Sequence, residues 1–169
     1  HLKAQREAII HAGIDVLAKH GKDGFTTTRV VERAGISNAS LYNYFADANE
    51  LWVAVVKACL ARDTEAVRNA ASRGKDPSNA LARAIEAVYA GMSRQPRLVK
   101  SLADAPVYRR AIRIELELLI KAIEPPSRES HYQAAAMLGA LYGLADADAK
   151  PSKASALCLM ILGVPEVAI

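Results

Sequence analysis

The sequence predicts an all-α protein of about nine helices. Alanine, the strongest helix former, accounts for 33 of the 169 residues, and no segment shows the sustained two-residue alternation of a strand. Apolar residues make up 51% of the chain and charged residues 24%, which is typical of a folded domain with a real core and not of a disordered chain.

Short polar connections separate the predicted helices. Their approximate ranges, in chain order, are 3–19, 27–34, 38–44, 47–72, 77–96, 97–103, 104–123, 130–146 and 152–163. Gly21 ends the first helix, Thr26 can cap the second, Gly35 ends the second, and Ser37 can cap the third. The apolar stripe predicted for the first helix comprises Ile9, Ala12, Gly13, Val16 and Leu17.

The later helices start at recognisable signals. Asp47 begins a D-x-x-E capping box, and Asp76-Pro77 places a cap before a proline at the first helical position. A short helical turn follows Pro96, an aspartate starts the seventh helix, Ser130 begins another capping box, and a serine opens the ninth helix.

Charge and composition narrow the classes of function only slightly. The net charge is +4, of which residues 1–46 carry +2, and this mild excess permits nucleic-acid binding without requiring it.

No apolar run reaches the ~18 residues of a membrane span. Cys59 and Cys158 lie in unrelated apolar stretches, so we expect no disulfide framework and a reducing cytoplasm. Because the chain begins at His1 and not at Met, we expect its natural start upstream.

Residues 26–45 carry the pattern of a helix-turn-helix. Two short helices are joined by Gly35-Ile36-Ser37, in which the glycine supplies the left-handed backbone that a tight turn needs. The apolar residues that can form one small core with the first helix are Val30, Val31, Ala34, Leu41 and Phe45.

In such a motif the second helix enters the major groove of DNA. Its outward-facing residues are Asn38, Ala39, Ser40, Tyr42, Asn43 and Tyr44. Asparagine and serine can bond base edges and an alanine methyl can contact thymine, whereas tyrosine hydroxyls suit phosphates. The predicted DNA-binding set also includes Thr26, Thr28, Arg29 and Ser37. An ordinary helical hairpin with an amide-rich face is the alternative.

This segment resembles the DNA-binding domain of the TetR (tetracycline repressor-like) transcriptional regulators over about residues 6–56. The matching positions are Gly21, Phe25, Thr26, Val30, Ala34-Gly35-Ile36-Ser37, Leu41-Tyr42-Asn43-Tyr44-Phe45 and Glu50-Leu51. Ala39 stands where the family often has glycine, and Ala48 stands where it usually has a lysine that would contact phosphate. The rest of the chain resembles the family only in its arrangement, with a long linking helix followed by a helical bundle of about the right size.

The resemblance implies two domains. We expect a DNA-binding domain over 1–46 and an effector-binding and dimerisation domain over 47–169, with 47–72 as the linking helix. The expected function is that of a homodimeric, one-component repressor in the bacterial cytoplasm, associated with the nucleoid. A small-molecule effector would release it from a palindromic double-stranded DNA operator.

The last two predicted helices support a dimer. The eighth has small residues along one side, and the ninth is apolar all round, so it needs cover on every side. Two copies of both helices would form a four-helix interface. The predicted interface residues are Tyr132, Ala136, Gly139, Ala140, Gly143, Leu157, Met160 and Ile161. The alternative is that the ninth helix is buried within one protomer.

A mainly apolar effector pocket with an internal carboxylate is predicted in the second domain. Its residues are Trp52, Val56, Asp63, Tyr89, Met92, Tyr108, Ile112, Glu115 and Leu119. We expect the seventh helix to bury one apolar face, which comprises Tyr108, Ala111, Ile112, Leu118, Leu119 and Ala122. The alternative is that these residues are simply core and that Glu115 is paired with an arginine.

Catalytic signals are weak. The sequence has no H-x-x-x-H pair, no glycine-rich phosphate loop and no nucleophile with an evident base, so it predicts no enzyme, no metal and no cofactor. Glu115 and Asp63 could form a carboxylate pair, but two acids in a predicted cavity are weak evidence for catalysis. The rival class is a helical dimer that binds a ligand or protein but no longer binds DNA, which the weak basic charge and Ala48 would favour.

Overall fold

The computed structural model describes residues 2–123, 130–146 and 150–161. Over these residues the chain forms nine helices and no strand. The helices are α1 (Leu2–His20), α2 (Thr27–Ala34), α3 (Asn38–Leu41), α4 (Ala48–Ala71), α5 (Pro77–Arg94), α6 (Pro96–Ala103), α7 (Pro106–Ile123), α8 (Ser130–Asp146) and α9 (Pro151–Ile161). None of the helices in the described part of the chain is both long and apolar enough to cross a membrane.

The predicted caps of the two long central helices are confirmed. At the start of α4, Asp47 Oδ1 accepts a hydrogen bond from the Glu50 backbone N–H at 2.7 Å. At the start of α5, Asp76 Oδ1 accepts from the Asn79 N–H at 2.8 Å, directly beside the proline at the first helical position. Both caps satisfy backbone donors that have no partner inside their helix.

The third helix is shorter than predicted. Regular α-helix ends at Leu41, whereas the sequence predicted a helix to residue 44. The backbone then tightens, because the N–H groups of Asn43 and Tyr44 donate to carbonyls three residues earlier, at 3.2 and 3.0 Å. The helical path therefore continues to Phe45 as a tighter turn.

The chain divides into two compact units. The first contains the residues up to Ala61 together with Gln95–Tyr108, and the second contains Arg62–Arg94 together with the described residues from Arg109 onward. The first unit thus reaches past residue 46, where the sequence placed a domain boundary. It does so because the first part of α4 contributes the fully buried Leu51 and Val55.

The core of the first unit is built on α1. All five residues of its predicted stripe are buried, and the helix packs against α2 and α6. Gly13 lets α4 come close, since a Cβ atom at this position would lie 2.6 Å from Val55 Cγ2. The C-terminal end of α1 is tied to α6, because Arg97 Nη1 donates to the Lys19 carbonyl at 2.8 Å.

The core of the second unit is centred on α5, which packs against α8 and α9. Its buried residues are Asn79, Leu81, Ala82, Ala84, Ile85, Tyr89 and Met92. Asn79 is the polar member, and its Oδ1 accepts from the Lys75 backbone N–H and from Arg83 Nε, at 3.3 and 3.0 Å. Its burial is therefore compatible with the rule that buried polar groups are bonded.

The buried face of α7 differs from the predicted one. Leu118 is 59% exposed and Ala122 is exposed, so their prediction as buried residues is wrong. The buried line instead comprises Tyr108, Ile112, Leu116 and Ile120, which follow the i, i+4 spacing of a helix. Because leucines and isoleucines stand on both sides of this helix, apolar periodicity alone left its phase ambiguous.

Glu115 is buried on α7 and has an arginine partner. Arg68 of α4 holds the carboxylate with two hydrogen bonds, from Nε to Oε2 at 2.9 Å and from Nη2 to Oε1. The bond from Glu115 raises the pKa of the Arg68 guanidinium. This two-point pair stabilises a carboxylate that would otherwise be costly to bury.

A methyl group added at Gly13 should destabilise the first unit. Gly13→Ala forces a Cβ atom against the stiff, β-branched Val55, and overpacking of this kind costs about 1–3 kcal/mol. The matched control is Gly91→Ala on α5, where an added Cβ meets no described atom within 4 Å and the gain in helix propensity stabilises by roughly 0.5–1 kcal/mol. Urea denaturation measures both. Equal shifts in the two midpoints would contradict the close approach at Gly13.

Candidate nucleic-acid interface

The turn between α2 and α3 is held by capping bonds at both helix ends. Thr26 Oγ1 accepts from the Arg29 N–H at 3.3 Å at the start of α2. Gly35 ends α2 with φ of 68°, and its N–H donates to the Glu32 carbonyl. Since only glycine adopts this left-handed conformation without strain, the residue fixes where the chain reverses.

Two serines organise the start of α3. Ser37 Oγ accepts from the Ser40 N–H at 3.1 Å, and the two hydroxyl oxygens lie 2.9 Å apart in a further hydrogen bond. Leu41 and Phe45 are fully buried beneath them. The single helical turn is therefore fixed from below by apolar packing and at its N-terminus by its cap.

Most of the predicted DNA-binding residues lie on the surface of this motif. The exposed members are Thr26, Thr28, Arg29, Ser37, Asn38, Ala39, Tyr42 and Asn43, whereas Ser40 and Tyr44 are half-buried. Tyr42 is 54% exposed although it follows directly on the buried Leu41. A large aromatic ring in this position is available to a partner.

The loop before α2 brings positive charge beside the motif. Arg29 Nη1 donates to the Gly24 carbonyl at 2.8 Å, which positions the guanidinium next to the end of α1. Loss of hydration, followed by the charges of Arg29, Lys19 and Arg97, holds the pKa of the exposed His20 below its usual range. The three basic residues that act on His20 are charges that can attract an anion such as phosphate.

Arg6 of α1 links the motif to the start of α4. Its guanidinium carbon lies 4.7 Å from the centre of the Phe45 ring, within range of a cation–π contact. Its Nη2 lies 3.7 Å from Glu50 Oε1, and Glu50 Oε2 accepts from the Ala46 N–H at 2.7 Å. Ala48 is exposed in the same first turn of α4, so no lysine is present there to contact phosphate.

Comparison with known proteins identifies this motif. Residues 9–55 match the family model described as bacterial regulatory proteins, tetR family. A segment of 58 residues, 34% of the chain, is 38% identical to the tetracycline repressor protein class C of Escherichia coli. Over residues 9–55, therefore, the chain matches the TetR family. The matching segment spans 26% of the length of that repressor.

Solved structures share the fold of this chain along nearly its whole length. A TetR family transcription regulator from Marinobacter aquaeolei VT8 has a TM-score of 0.72 and 19% identity, with 92% of this chain and 94% of that chain covered. The crystal structure of RolR in complex with resorcinol has a TM-score of 0.68 and 16% identity, with 96% and 89% covered. At these identities the likeness concerns the fold.

The residues predicted to line an effector pocket fall into both units. Trp52, Val56 and Tyr108 belong to the first unit, where the ring of Trp52 packs edge-on against Phe25 at 5.3 Å between centroids. The members in the second unit are Asp63, Tyr89, Met92, Ile112, Glu115 and Leu119. Arg68, the partner of Glu115, was missed, because a lone arginine on a helix carries no signal in the sequence.

An open groove of about 300 Å³ also lies in the second unit. Its lining residues are Ala70, Arg73, Arg83, Glu86, Ala87 and Ala90, and none of them belongs to the predicted pocket. The pocket therefore stays a prediction, resting on buried side chains such as Tyr89 and Met92.

The predicted dimer residues are largely on the outside of the second unit. Tyr132 is 73% exposed, Met160 is 67% exposed, and Ala136 and Gly139 are exposed as well. Ala140 and Leu157 are half-buried, whereas Gly143 and Ile161 lie outside the residues whose side chains the structure describes. The opposite side of α8 is buried through Ala134, Met137, Leu138 and Leu141.

Loss of the α3 cap should loosen the motif. Ser37→Ala removes the acceptor of the Ser40 N–H and the hydroxyl contact, which costs about 1 kcal/mol by analogy with other N-caps. Ser37→Thr keeps the cap and should restore the loss, and Ser93→Ala, at an exposed serine of α5, is the control. Amide hydrogen exchange of residues 40–45 reports the effect locally. Unchanged protection in Ser37→Ala would show that the cap does not hold this turn.

Proposed function

We propose that this TetR-family chain is a homodimeric transcriptional repressor that binds a palindromic DNA operator and is released by a small-molecule effector. The observation that carries the proposal is the α2–turn–α3 motif. It presents uncharged polar residues on a surface that caps and a buried core hold in place. As a repressor of this kind the protein would act on nucleoid DNA in the bacterial cytoplasm.

Three exposed residues of α3 and the turn after it suit base edges. Asn38 and Asn43 can each offer a donor and an acceptor together, which is the pattern that adenine presents in the major groove. The Ala39 methyl group can pack against the methyl group of thymine. The Ser40 hydroxyl already shares a hydrogen bond with the Ser37 hydroxyl. Only its remaining hydrogen-bonding positions can therefore meet a base.

Phosphate contacts would come from the rim of the motif. Tyr42 is exposed, Thr28 and Arg29 are exposed in the first turn of α2, and the basic residues that act on His20 lie beside them. Such contacts fix the orientation on DNA without reading sequence. DNA binding would therefore tolerate the alanine at position 48, because several other donors on this rim share the phosphate contacts.

The exposed apolar face of α8 and α9 supports the dimer. An exposed tyrosine, an exposed methionine and small residues between them form a surface that a second copy can approach closely. A homodimer would place two recognition motifs in successive major grooves, with half-site centres ~34–36 Å apart.

The second unit is the part of the chain in which we propose that a releasing effector binds. RolR was crystallised with resorcinol, so one protein of this fold holds a small aromatic ligand. In this chain, an effector that binds only one arrangement of the dimer would shift the population towards a state that does not fit the operator.

Substitution of Asn43 should separate base reading from phosphate contact. If Asn43 bonds a base, Asn43→Ala costs roughly 1–3 kcal/mol on an operator selected from a random duplex library and relaxes specificity at one position. Tyr42→Phe should weaken selected and random duplexes by the same factor, because phosphate contacts carry no sequence information. Fluorescence anisotropy at fixed salt measures both affinities.

Three outcomes contradict this assignment. If Asn43→Ala and Tyr42→Phe each weaken both duplexes equally, the asparagine does not read a base. If Tyr42→Phe alters the ratio of the two affinities, the tyrosine is not a phosphate contact. If the wild-type protein selects no duplex, the rival class of a ligand-binding or protein-binding dimer without DNA is favoured.

A bulky residue at Gly139 should separate the protomers. An added Cβ at Gly139 meets nothing within 4 Å in the described part of the chain, so we expect Gly139→Leu to act mainly on a partner. Overpacking of the proposed interface costs about 1–3 kcal/mol, and operator affinity should fall with it. Gly91→Leu, at an equally open position on α5, is the control. Analytical ultracentrifugation checks the assembly, and a variant that stays dimeric would place the interface elsewhere.

A further inference from the structure

A buried hydroxyl group in the second unit has no hydrogen-bond partner. Tyr142 of α8 has its hydroxyl oxygen fully buried, and nothing in the described part of the chain bonds to it. Buried polar groups are almost always bonded, and one without a partner calls for an explanation such as a water or a ligand. The hydroxyl is thus a candidate anchor for a molecule that the chain binds.

Two groups of opposite charge act on this hydroxyl. Burial raises the pKa of Tyr142 most, the charge of Arg109 lowers it, and the charge of Asp63 raises it. Arg109 lies on α7 and Asp63 on α4, and both belong to the second unit. Asp63 Oδ1 also accepts from Arg62 Nε at 2.8 Å.

The protonation state of Tyr142 defines what it can bind. Because burial keeps the phenol protonated, its O–H can donate to an oxygen and its own oxygen can accept. A charged group would have to lose its hydration to reach this buried hydroxyl, and a neutral phenol offers it no opposite charge, so a neutral oxygen is the favoured partner.

We propose that the Tyr142 hydroxyl anchors an uncharged, apolar small molecule through one oxygen atom, such as that of a ketone or an alcohol. This proposal rests on the proposed function, since it places the effector in the second unit. It adds a residue absent from the predicted pocket and specifies the effector as a neutral acceptor of one hydrogen bond.

The first test is the stability of the ligand-free protein. Tyr142→Phe removes only the unpaired hydroxyl, so it should raise the thermal midpoint, by about 2–4 °C for a protein of this size. Tyr42→Phe, the same change at a 54% exposed ring in the first unit, is the control and should leave the midpoint of the DNA-free protein unchanged. A lower midpoint for Tyr142→Phe would show that the hydroxyl has a structural partner, and it would overturn the proposal.

The second test uses ring compounds that differ only in oxygen. With 3-fluorotyrosine in place of all six tyrosines, the resonance missing from Tyr142→Phe identifies Tyr142 in the fluorine NMR spectrum. Cyclohexanone and cyclohexanol should shift this resonance, and each should bind about tenfold more weakly to Tyr142→Phe. Cyclohexane should bind the wild type and Tyr142→Phe equally.

The outcomes separate this proposal from the proposed function. If neither oxygen compound shifts the Tyr142 resonance up to its solubility limit, or if Tyr142→Phe binds both as the wild type does, the anchor is overturned. Operator binding is measured without these compounds and should be unchanged in Tyr142→Phe. If the wild type binds no duplex, the proposal of a repressor is overturned. A shift of the Tyr142 resonance would then still support a ligand-binding protein.

Discussion

Burial of Leu41 and Phe45 is the constraint on which the nucleic-acid interface depends. A helix of one turn has no stability of its own, since the cost of starting a helix exceeds the gain from so few bonds. The two side chains fix α3 from below, and the positive φ of Gly35 determines the direction in which it leaves α2. Every exposed residue of the motif takes its position from these contacts.

The sequence was most informative where structure is local. Caps at Asp47 and Asp76 and the stripe of α1 were predictable, because each depends on residues within a few positions of one another. The exposure of Leu118 was not, because a helix that is apolar on two sides does not reveal which side is covered. Glu115 was expected inside, but its partner Arg68 lies 47 residues away in the sequence.

The interface residues on α2 and α3 were predictable for a different reason. The motif combines a fixed turn with fixed apolar positions, so the remaining positions face outward by necessity. In the second unit no comparable pattern exists. Tyr142 was not among the predicted site residues, because a tyrosine among leucines gives no sign that its hydroxyl lacks a partner.

The ion pairs of the first unit affect how the protein would respond to salt. Arg6 is near Glu50, and Arg33 donates to Asp15 at 2.5 Å, so these two cations already have acidic neighbours. A cation neutralised within the protein displaces few counterions from DNA, and the salt dependence of binding follows the number displaced. If this surface binds DNA as proposed, Arg6 and Arg33 add little to the salt dependence of that binding, which then follows the other cations of the motif.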